Sequence, residues 1–154
     1  MAIHHYQCKA EWTGAASGPT DDIHFNRNIR VNFVGHAALE MSGPPEFLGS
    51  ADYVNPEELF VASLASCQML TYLALAARRG IKVTSYQDEA EGEMMVKDGR
   101  MRFTKVTLHP TITISADSRL EEAESLVERA HQDCFIGNSV TTELVIAAQP
   151  IQVR

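Results

Sequence analysis

The segment from Leu59 to Ala77 carries no formal charge and constrains the fold more than any other part of the chain. Before it, Asn55-Pro56-Glu57-Glu58 supplies a capping residue, a proline suited to the first helical position and two acids for the positive end of the helix dipole. After it, Arg78-Arg79-Gly80 is the matching stop signal. The pattern predicts one long helix that is apolar on nearly every face.

A helix of this kind is typical either of a membrane span, for which about 20 apolar residues suffice, or of a protein centre. Alanines and several polar side chains make it only mildly hydrophobic, which favours the centre of a protein or of a subunit interface. The chain has 154 residues and is expected to form one domain, 1–154. Because so short a chain has limited means to surround the helix, a homodimer with no membrane contact is predicted. The polar side chains are Ser63, Ser66, Gln68, Thr71 and Tyr72.

Short strands are predicted before this helix. An edge strand is expected from His4 to Trp12, and a Gly-, Ser- and Pro-containing loop follows from Ala15 to Asp22. Alternation from Ile23 to Phe33 indicates one or two short strands. The stretch from Gly35 to Tyr53 has the composition of a long irregular connection, a type of loop that often carries function.

The residues after the helix indicate a hairpin, a second helix and a further strand. Two long strands, Lys82 to Val96 and Met101 to Ile114, flank a turn with Asp-Gly at its centre. Asp117-Ser118 is expected to cap an amphipathic helix that ends near Cys134, and a β-like run extends from Glu143 to Val153. The order predicts an α+β fold with mainly antiparallel sheets around a long buried helix.

Charge and cysteine usage exclude several classes of protein. Twenty acidic and thirteen basic residues give a net charge of −7, which disfavours a nucleic-acid partner. The first residues lack the basic and apolar regions of a signal peptide. Three cysteines are too few and too scattered for a disulfide scaffold. A cytoplasmic location is therefore expected, where thiols serve as core residues, metal ligands or redox catalysts.

Cys67 in the middle of the long helix and Cys134 at the end of the second are both held on rigid elements. Buried free cysteine commonly acts as a small hydrophobe, and Cys8 on the edge strand is assigned that role. The absence of a Cys-x-x-Cys or His-x-x-x-His motif argues against a metal site. A Cys–His hydrolase that uses His36 or His109 is compatible with the spacing but has no motif of its own.

The run Asn55-Pro56-Glu57-Glu58-Leu59-Phe60, the small residues up to Ala65-Ser66-Cys67, and the later Ala130-His131-x-x-Cys134 with Asn138-Ser139 resemble the OsmC/Ohr family of osmotically induced and organic-hydroperoxide-resistance proteins. The resemblance covers most of the chain, and its elements occur in the family's order. It implies the family's OsmC-like fold and an intertwined homodimer.

The resemblance also implies a peroxiredoxin-like organic hydroperoxide reductase with an antioxidant role and no cofactor. By position, Cys67 matches the peroxidatic thiol and Cys134 the resolving thiol, and the resulting disulfide is reduced by a small or lipoyl-type dithiol. Glu57 matches the family's active-site glutamate, which pairs with an arginine that lowers the thiol pKa. Arg27 is preferred for that arginine over Arg30.

Without the resemblance, both arginines would be interpreted as surface cations and Glu57 as a favourable charge in the first helical turn. Glu57 and Cys67 are ten residues apart, about 15 Å along a continuous helix. A cooperating Glu57 therefore comes from a partner subunit, or the helix breaks between the two residues, or Glu57 is only a capping charge.

The chain departs from the family pattern after Cys134, where Phe135-Ile136 stands in place of the proline of many peroxidase members. This departure leaves a second hypothesis open. It is a non-catalytic or weakly active member of the same fold that binds a hydrophobic small molecule at the dimer interface.

Overall fold

The computed structural model describes residues 3–12 and 23–154, which divide into two compact units, Met1–Leu59 and Phe60–Arg154. The first unit contains a three-stranded antiparallel sheet in the order β1-β2-β3. The central strand places Val31 between Ala10 and Leu39, and Val31 is buried. The strands are β1 (Cys8–Trp12), β2 (Ile29–Phe33) and β3 (Leu39–Met41).

The edge position of the first strand is confirmed, and one of the one or two short strands predicted from Ile23 to Phe33 is present, at 29–33. Ile23 and Phe25 lie outside any strand. The expected irregular connection contains β3 and a 3-10 turn, Pro45–Phe47. The strand was missed because Leu39, Glu40 and Met41 give too short a pattern to recognise. The loop predicted from Ala15 to Asp22 lies outside the described residues.

Helix α1 (Pro56–Arg78) has the ends that its sequence predicts. The Asn55 side chain accepts a hydrogen bond from the Glu58 N–H (2.8 Å), and the Asn55 N–H donates to the Glu58 carboxylate (2.9 Å), which forms a capping box. At the other end Gly80 has φ +68, and the Ile81 N–H donates to the Ala76 carbonyl. This left-handed closure needs glycine because a Cβ would be strained there.

One face of α1 is buried, and most of its other side chains are half-buried or exposed. Only 22% of its apolar window is buried, although the helix is long and apolar enough to cross a membrane by length and composition. The side chain of Leu70 is 65% exposed. The buried positions recur every four residues, as expected for one helical face: Leu64, Gln68, Tyr72 and Ala76.

The second unit contains two three-stranded sheets, in the orders β4-β7-β9 and β5-β6-β8. Among the described strands of both units, four pairings are antiparallel and two are parallel, which confirms the mainly antiparallel α+β prediction. The elements are β4 (Val83–Asp88), β5 (Glu91–Lys97), β6 (Arg100–Leu108), β7 (Pro110–Ile114), helix α2 (Leu120–Asp133), β8 (Glu143–Ile146) and β9 (Gln152–Val153).

The hairpin between β5 and β6 is confirmed. Its Asp98 and Gly99 both have positive φ, which matches the twist of the flanking strands. Each predicted long strand is in fact two strands: 82–96 divides at Glu89-Ala90, and 101–114 divides at His109. The second division is a change of sheet, since β6 pairs with β5 whereas β7 pairs with β4.

The predicted cap of α2 is also wrong. Arg119 occupies the N-cap position without a side-chain cap bond. The Ser118 hydroxyl instead accepts the N–H of Lys82, and the Asp117 carboxylate pairs with the Lys82 ammonium. These two side chains therefore join the start of α2 to the start of β4.

Two apolar clusters form the core of the second unit. The larger one packs α1 and α2 on the β4-β7-β9 sheet and includes Tyr72, Ile112 and Leu126. The smaller one packs α1 on the β5-β6-β8 sheet around Leu64 and Val106. Helix α1 thus contributes to both clusters, and Cys67 lies on it between the residues that do so.

Candidate functional site

Cys67 lies in the middle of α1 and is partly buried. Its position leaves it far from the helix N-terminus, so the helix dipole gives its sulfur little stabilisation. The neighbouring hydroxyls bond to the helix itself: Ser66 donates to the Ala62 carbonyl and Thr71 to the Cys67 carbonyl (2.8 Å). Donors to the Cys67 sulfur must therefore come from another element.

Cys134 is the C-cap residue of α2 and is completely buried. The chain leaves the helix there because Cys134 has extended backbone angles, φ −69 and ψ 113. It then forms the Cys134 turn, defined as residues 134–140, which contains the 3-10 segment Gly137–Ser139. A Cβ on Gly137 would lie 3.3 Å from both the Cys134 sulfur and Leu144, so the turn packs closely against the thiol.

The Cys134 turn directs two main-chain amides at the two sulfurs. The Ile136 N–H donates to the Sγ of Cys67 (3.5 Å), and the Gly137 N–H donates to the Sγ of Cys134 (3.3 Å). The two sulfurs therefore lie beside the same turn. Both are free thiols in this structure. The structure therefore brings together Cys67 and Cys134, two of the residues that the sequence nominates.

Burial raises the pKa of the Cys134 thiol to about 11. The Gly137 amide lowers it, and the adjacent Cys67 raises it again because two neighbouring thiolates would repel each other. Cys134 therefore keeps its proton at neutral pH and well into the alkaline range. Such a pair is suited to chemistry in which one sulfur reacts first and the other follows.

Glu57 does not form the capping box of α1, because Glu58 does. The Oε2 of Glu57 is buried and lacks a hydrogen-bond partner among residues 3–12 and 23–154. Helix α1 is continuous from Pro56 to Arg78, which removes the possibility of a helix break between Glu57 and Cys67. An unpaired buried carboxylate oxygen is costly and calls for a partner.

The two candidate arginines have different surroundings in the first unit. Arg27 lies just before β2 and donates to the Phe25 carbonyl (3.0 Å) and the Ile23 carbonyl (2.7 Å), and its guanidinium lies 4.1 Å from the centre of the Phe25 ring. Arg30 pairs across the sheet with Glu40. Arg30 therefore already has a carboxylate partner, whereas the bonds of Arg27 to the described residues are to neutral groups.

The remaining cysteine and histidines give little support to the other hypotheses. Cys8 is exposed on β1, so its predicted role as a buried small hydrophobe is wrong. His109 interacts with Glu91 (3.4 Å). Within the described ranges, no three His, Cys, Asp or Glu side chains are grouped to hold a metal ion.

The sequence analysis missed the amides of Ile136 and Gly137. Main-chain donors have no residue-type signature, so only the turn-forming Gly137-Asn138-Ser139 immediately after Cys134 could have pointed to them. The sequence does show that a turn must follow the second helix there, but it does not show which amides the turn presents to the thiols.

Comparison with known proteins identifies relatives along most of the chain. Residues 49–149 match the family model for OsmC-like protein. The uncharacterized protein YmaD of Bacillus subtilis is 27% identical over 144 residues, which cover 91% of this chain and 89% of that protein. A Vibrio cholerae OsmC-like protein of unknown function is 33% identical, with a TM-score of 0.89 over 96% of this chain and 100% of that one.

An organic hydroperoxide resistance protein from Elizabethkingia anophelis shares the fold. Its structure covers 99% of both chains with a TM-score of 0.71 and 24% identity. At that identity the likeness concerns the fold only. YmaD and the Vibrio cholerae protein, at 27% and 33% identity, are uncharacterized and of unknown function, so they indicate no activity for this chain.

Proposed function

Because the chain belongs to the OsmC-like protein family, we propose that it is a thiol-dependent peroxidase that reduces organic hydroperoxides through Cys67 and Cys134. The observation that supports this proposal is the Cys134 turn, whose Ile136 and Gly137 amides donate to the sulfurs of Cys67, which is partly buried, and of Cys134, which is completely buried. Two cysteines that served only for packing would not need to differ in accessibility in this way. The protein would act in oxidative-stress defence in the cytoplasm.

In the proposed reaction, the Cys67 thiolate attacks the distal oxygen of a hydroperoxide ROOH. The O–O bond breaks, the alcohol ROH leaves after taking up a proton, and Cys67 becomes a sulfenic acid. The Cys134 sulfur then attacks the Cys67 sulfur. An S–S bond forms, and the Cys134 proton combines with the departing hydroxide to give water. A small or lipoyl-type dithiol returns both cysteines to thiols and is itself oxidised to a disulfide.

Glu57 and Arg27 are proposed to complete the site. A guanidinium near Cys67 would favour the thiolate, and a carboxylate would hold that guanidinium in place. The buried, unpaired Oε2 of Glu57 is suited to accept such a pair. Arg27 is preferred over Arg30 because Arg30 is already paired with Glu40.

The protein is proposed to act as a homodimer. Only 22% of the apolar window of α1 is buried, and its Leu70 side chain is 65% exposed, so the helix keeps a partly exposed apolar surface that is available to a second copy. A second copy that covers this surface would also let Glu57 of one subunit serve Cys67 of the other, since a continuous helix separates them within one chain.

The proposal is tested by a steady-state assay with cumene hydroperoxide and either dihydrolipoamide or glutathione as the reductant. Cys67→Ser should abolish turnover. Cys134→Ser should still consume one equivalent of peroxide but leave Cys67 as a sulfenic acid that dimedone traps. Cys8→Ser is the matched control, since Cys8 is an exposed cysteine on β1, and it should retain full activity.

The rate at which Cys67 reacts with hydroperoxide can also contradict the proposal. If the wild-type Cys67 thiol reacts with hydroperoxide no faster than free cysteine, the peroxidase proposal is wrong. The alternative of a non-catalytic protein that binds a hydrophobic small molecule at the dimer interface would then be preferred.

A further inference from the structure

We propose that the main-chain N–H of Ile136 is a catalytic donor that stabilises the Cys67 thiolate. This inference rests on the proposed function, because it assigns a group to the same reacting sulfur. The direct observation is the hydrogen bond from the Ile136 N–H to the Cys67 Sγ, with a donor–acceptor distance of 3.5 Å. A sulfur acceptor forms longer hydrogen bonds than oxygen does, and the bond strengthens when the acceptor becomes charged.

Cys67 needs such a donor because its own helix cannot supply one. The amides of α1 around Cys67 are used in the helix, and the nearby hydroxyls of Ser66 and Thr71 donate to helix carbonyls. A thiolate at a helix N-terminus would be stabilised by free amides, but Cys67 is in the middle of the helix. The Ile136 amide, in the turn that follows α2, supplies the hydrogen-bond donor that α1 does not.

The donor is held in place by the Cys134 turn itself. The Asn138 N–H donates to the Cys134 carbonyl (2.9 Å), and the Ser139 N–H donates to the Ile136 carbonyl (3.0 Å). The Ser139 hydroxyl donates to the Phe135 carbonyl (2.7 Å), and the Asn138 side chain donates to the Gln132 carbonyl (2.9 Å). A donor fixed by this many bonds needs no rearrangement when charge develops on the sulfur, which is the condition for efficient electrostatic stabilisation.

The same amide also serves the reduction of the disulfide. The next amide in the turn, the Gly137 N–H, donates to the Cys134 Sγ (3.3 Å), so both sulfurs lie beside one turn. The Cys67 sulfur loses its charge in the first step, when the alkoxide departs, and it stays neutral in the sulfenic acid and in the disulfide while the amide remains beside it. During reduction the Cys67 sulfur again departs as a thiolate, and the Ile136 N–H stabilises it as a leaving group.

The test removes the N–H and keeps the backbone shape. Ile136 has φ −69, which is the angle that proline imposes, so Ile136→Pro deletes the donor at a compatible position. Ile136→Ala keeps the donor and removes the side chain. Phe135→Pro places a proline in the same turn while it leaves the Ile136 N–H intact. All three are made with Cys8→Ser and Cys134→Ser, so that Cys67 is the single thiol.

The measurement is the rate of iodoacetamide alkylation of Cys67 as a function of pH. With Ile136→Pro the midpoint of the profile should move upward by roughly one pH unit, as expected for the loss of one hydrogen bond to the charged form. Ile136→Ala and Phe135→Pro should leave the midpoint where the parent has it. Equal midpoints for all three variants would overturn the inference.

A folding control keeps the test decisive. If Ile136→Pro does not give the parent's circular dichroism spectrum, the N–H is replaced by an ester oxygen through incorporation of the α-hydroxy acid analogue of isoleucine at position 136. This change deletes the same donor without a ring, and the same upward shift is expected. Because alkylation needs no peroxide, a protein without peroxidase turnover could still show the shift. Failure of the proposed function is therefore distinguishable from failure of this inference.

Discussion

The three cysteines differ in environment, and their chemistry follows from that difference. Cys8 is exposed on a strand, Cys67 is partly buried in a helix, and Cys134 is completely buried beside Cys67. Burial favours the uncharged thiol, so the most buried cysteine keeps its proton longest. In the proposed reaction, position in the fold therefore explains why Cys67 is expected to react before Cys134.

The raised pKa of Cys134 makes folding stability depend on alkaline pH. Between the ordinary thiol pKa of about 8.5 and the folded value of about 11, the unfolded chain has lost this proton and the folded chain has kept it. The stabilisation is complete below the lower value and is lost as pH rises through the higher one. Urea denaturation of the reduced protein from pH 8 to pH 10 should show the wild type losing stability relative to Cys134→Ser.

The slope of that difference is limited to about 1.4 kcal/mol per pH unit for one thiol. Cys8→Ser, the exposed-cysteine control, should give a curve parallel to that of the wild type. Parallel curves for the wild type and Cys134→Ser would show that the Cys134 thiol is not protected from ionisation in the folded state.

The sequence nominates Cys67 and Cys134, and the structure places both beside the Cys134 turn. It cannot distinguish Glu57 from Glu58, because two adjacent acids in a first helical turn have the same pattern. Only the coordinates show that Glu58 completes the capping box while the Oε2 of Glu57 is buried without a partner in the described chain. The roles of Glu57 and Arg27 remain predictions.

At the scale of elements, two polar side chains join the helices in the second unit. The completely buried Gln68 of α1 donates to the Val127 carbonyl of α2 (3.2 Å), and the Tyr72 hydroxyl donates to the Ala123 carbonyl (3.2 Å). Burial raises the pKa of Tyr72 to about 12, so its hydroxyl stays protonated and keeps this bond over the physiological range. Gln68 and Tyr72 are four residues apart, so both side chains extend from the same face of α1.

Tyr72→Phe should lower the free energy of unfolding by roughly 1 kcal/mol, the usual net value of one hydrogen bond, because the ring still fills its site. Urea denaturation at pH 7 measures the change. Tyr53→Phe is the matched control at a residue that is 39% exposed, and it should leave the midpoint unchanged. Equal stability of Tyr72→Phe and the wild type would mean that the bond to Ala123 contributes nothing.

The ends of α1 were predictable because caps and stops are local chemistry. The division of the strands was not, since alternation continues through Leu108, His109 and Pro110 while the chain moves from one sheet to the other. A period of two shows which side chains share a face, but it does not identify the neighbouring strand.

At the scale of the whole molecule, the proposed dimer determines whether Glu57 can act on a Cys67 thiol. Coexpression of Glu57→Ala and Cys67→Ser chains with different tags gives a purifiable heterodimer. If Glu57 serves the partner's thiol, the heterodimer has one intact pocket and one lacking both residues. Peroxidase activity should therefore return, although each parental homodimer is inactive.

If Glu57 instead serves its own chain, neither pocket is intact and the heterodimer stays inactive. Sedimentation equilibrium of the wild type gives an independent control. A folded monomer at micromolar concentration would contradict the dimer and, with it, a shared site.

The parallel pairings of the second unit also determine how this protein folds. Lys105 pairs with Glu143 and Thr113 with Gln152, so neither sheet is complete until distant parts of the chain have met. Contacts of such wide sequence separation have a high loop-closure cost, which slows folding. Cys67 and Cys134 also lie far apart in the sequence, so bringing them to one turn carries a loop-closure cost of the same kind. The proposed thiol pair therefore exists only in a chain in which the two ends of the second unit have come together.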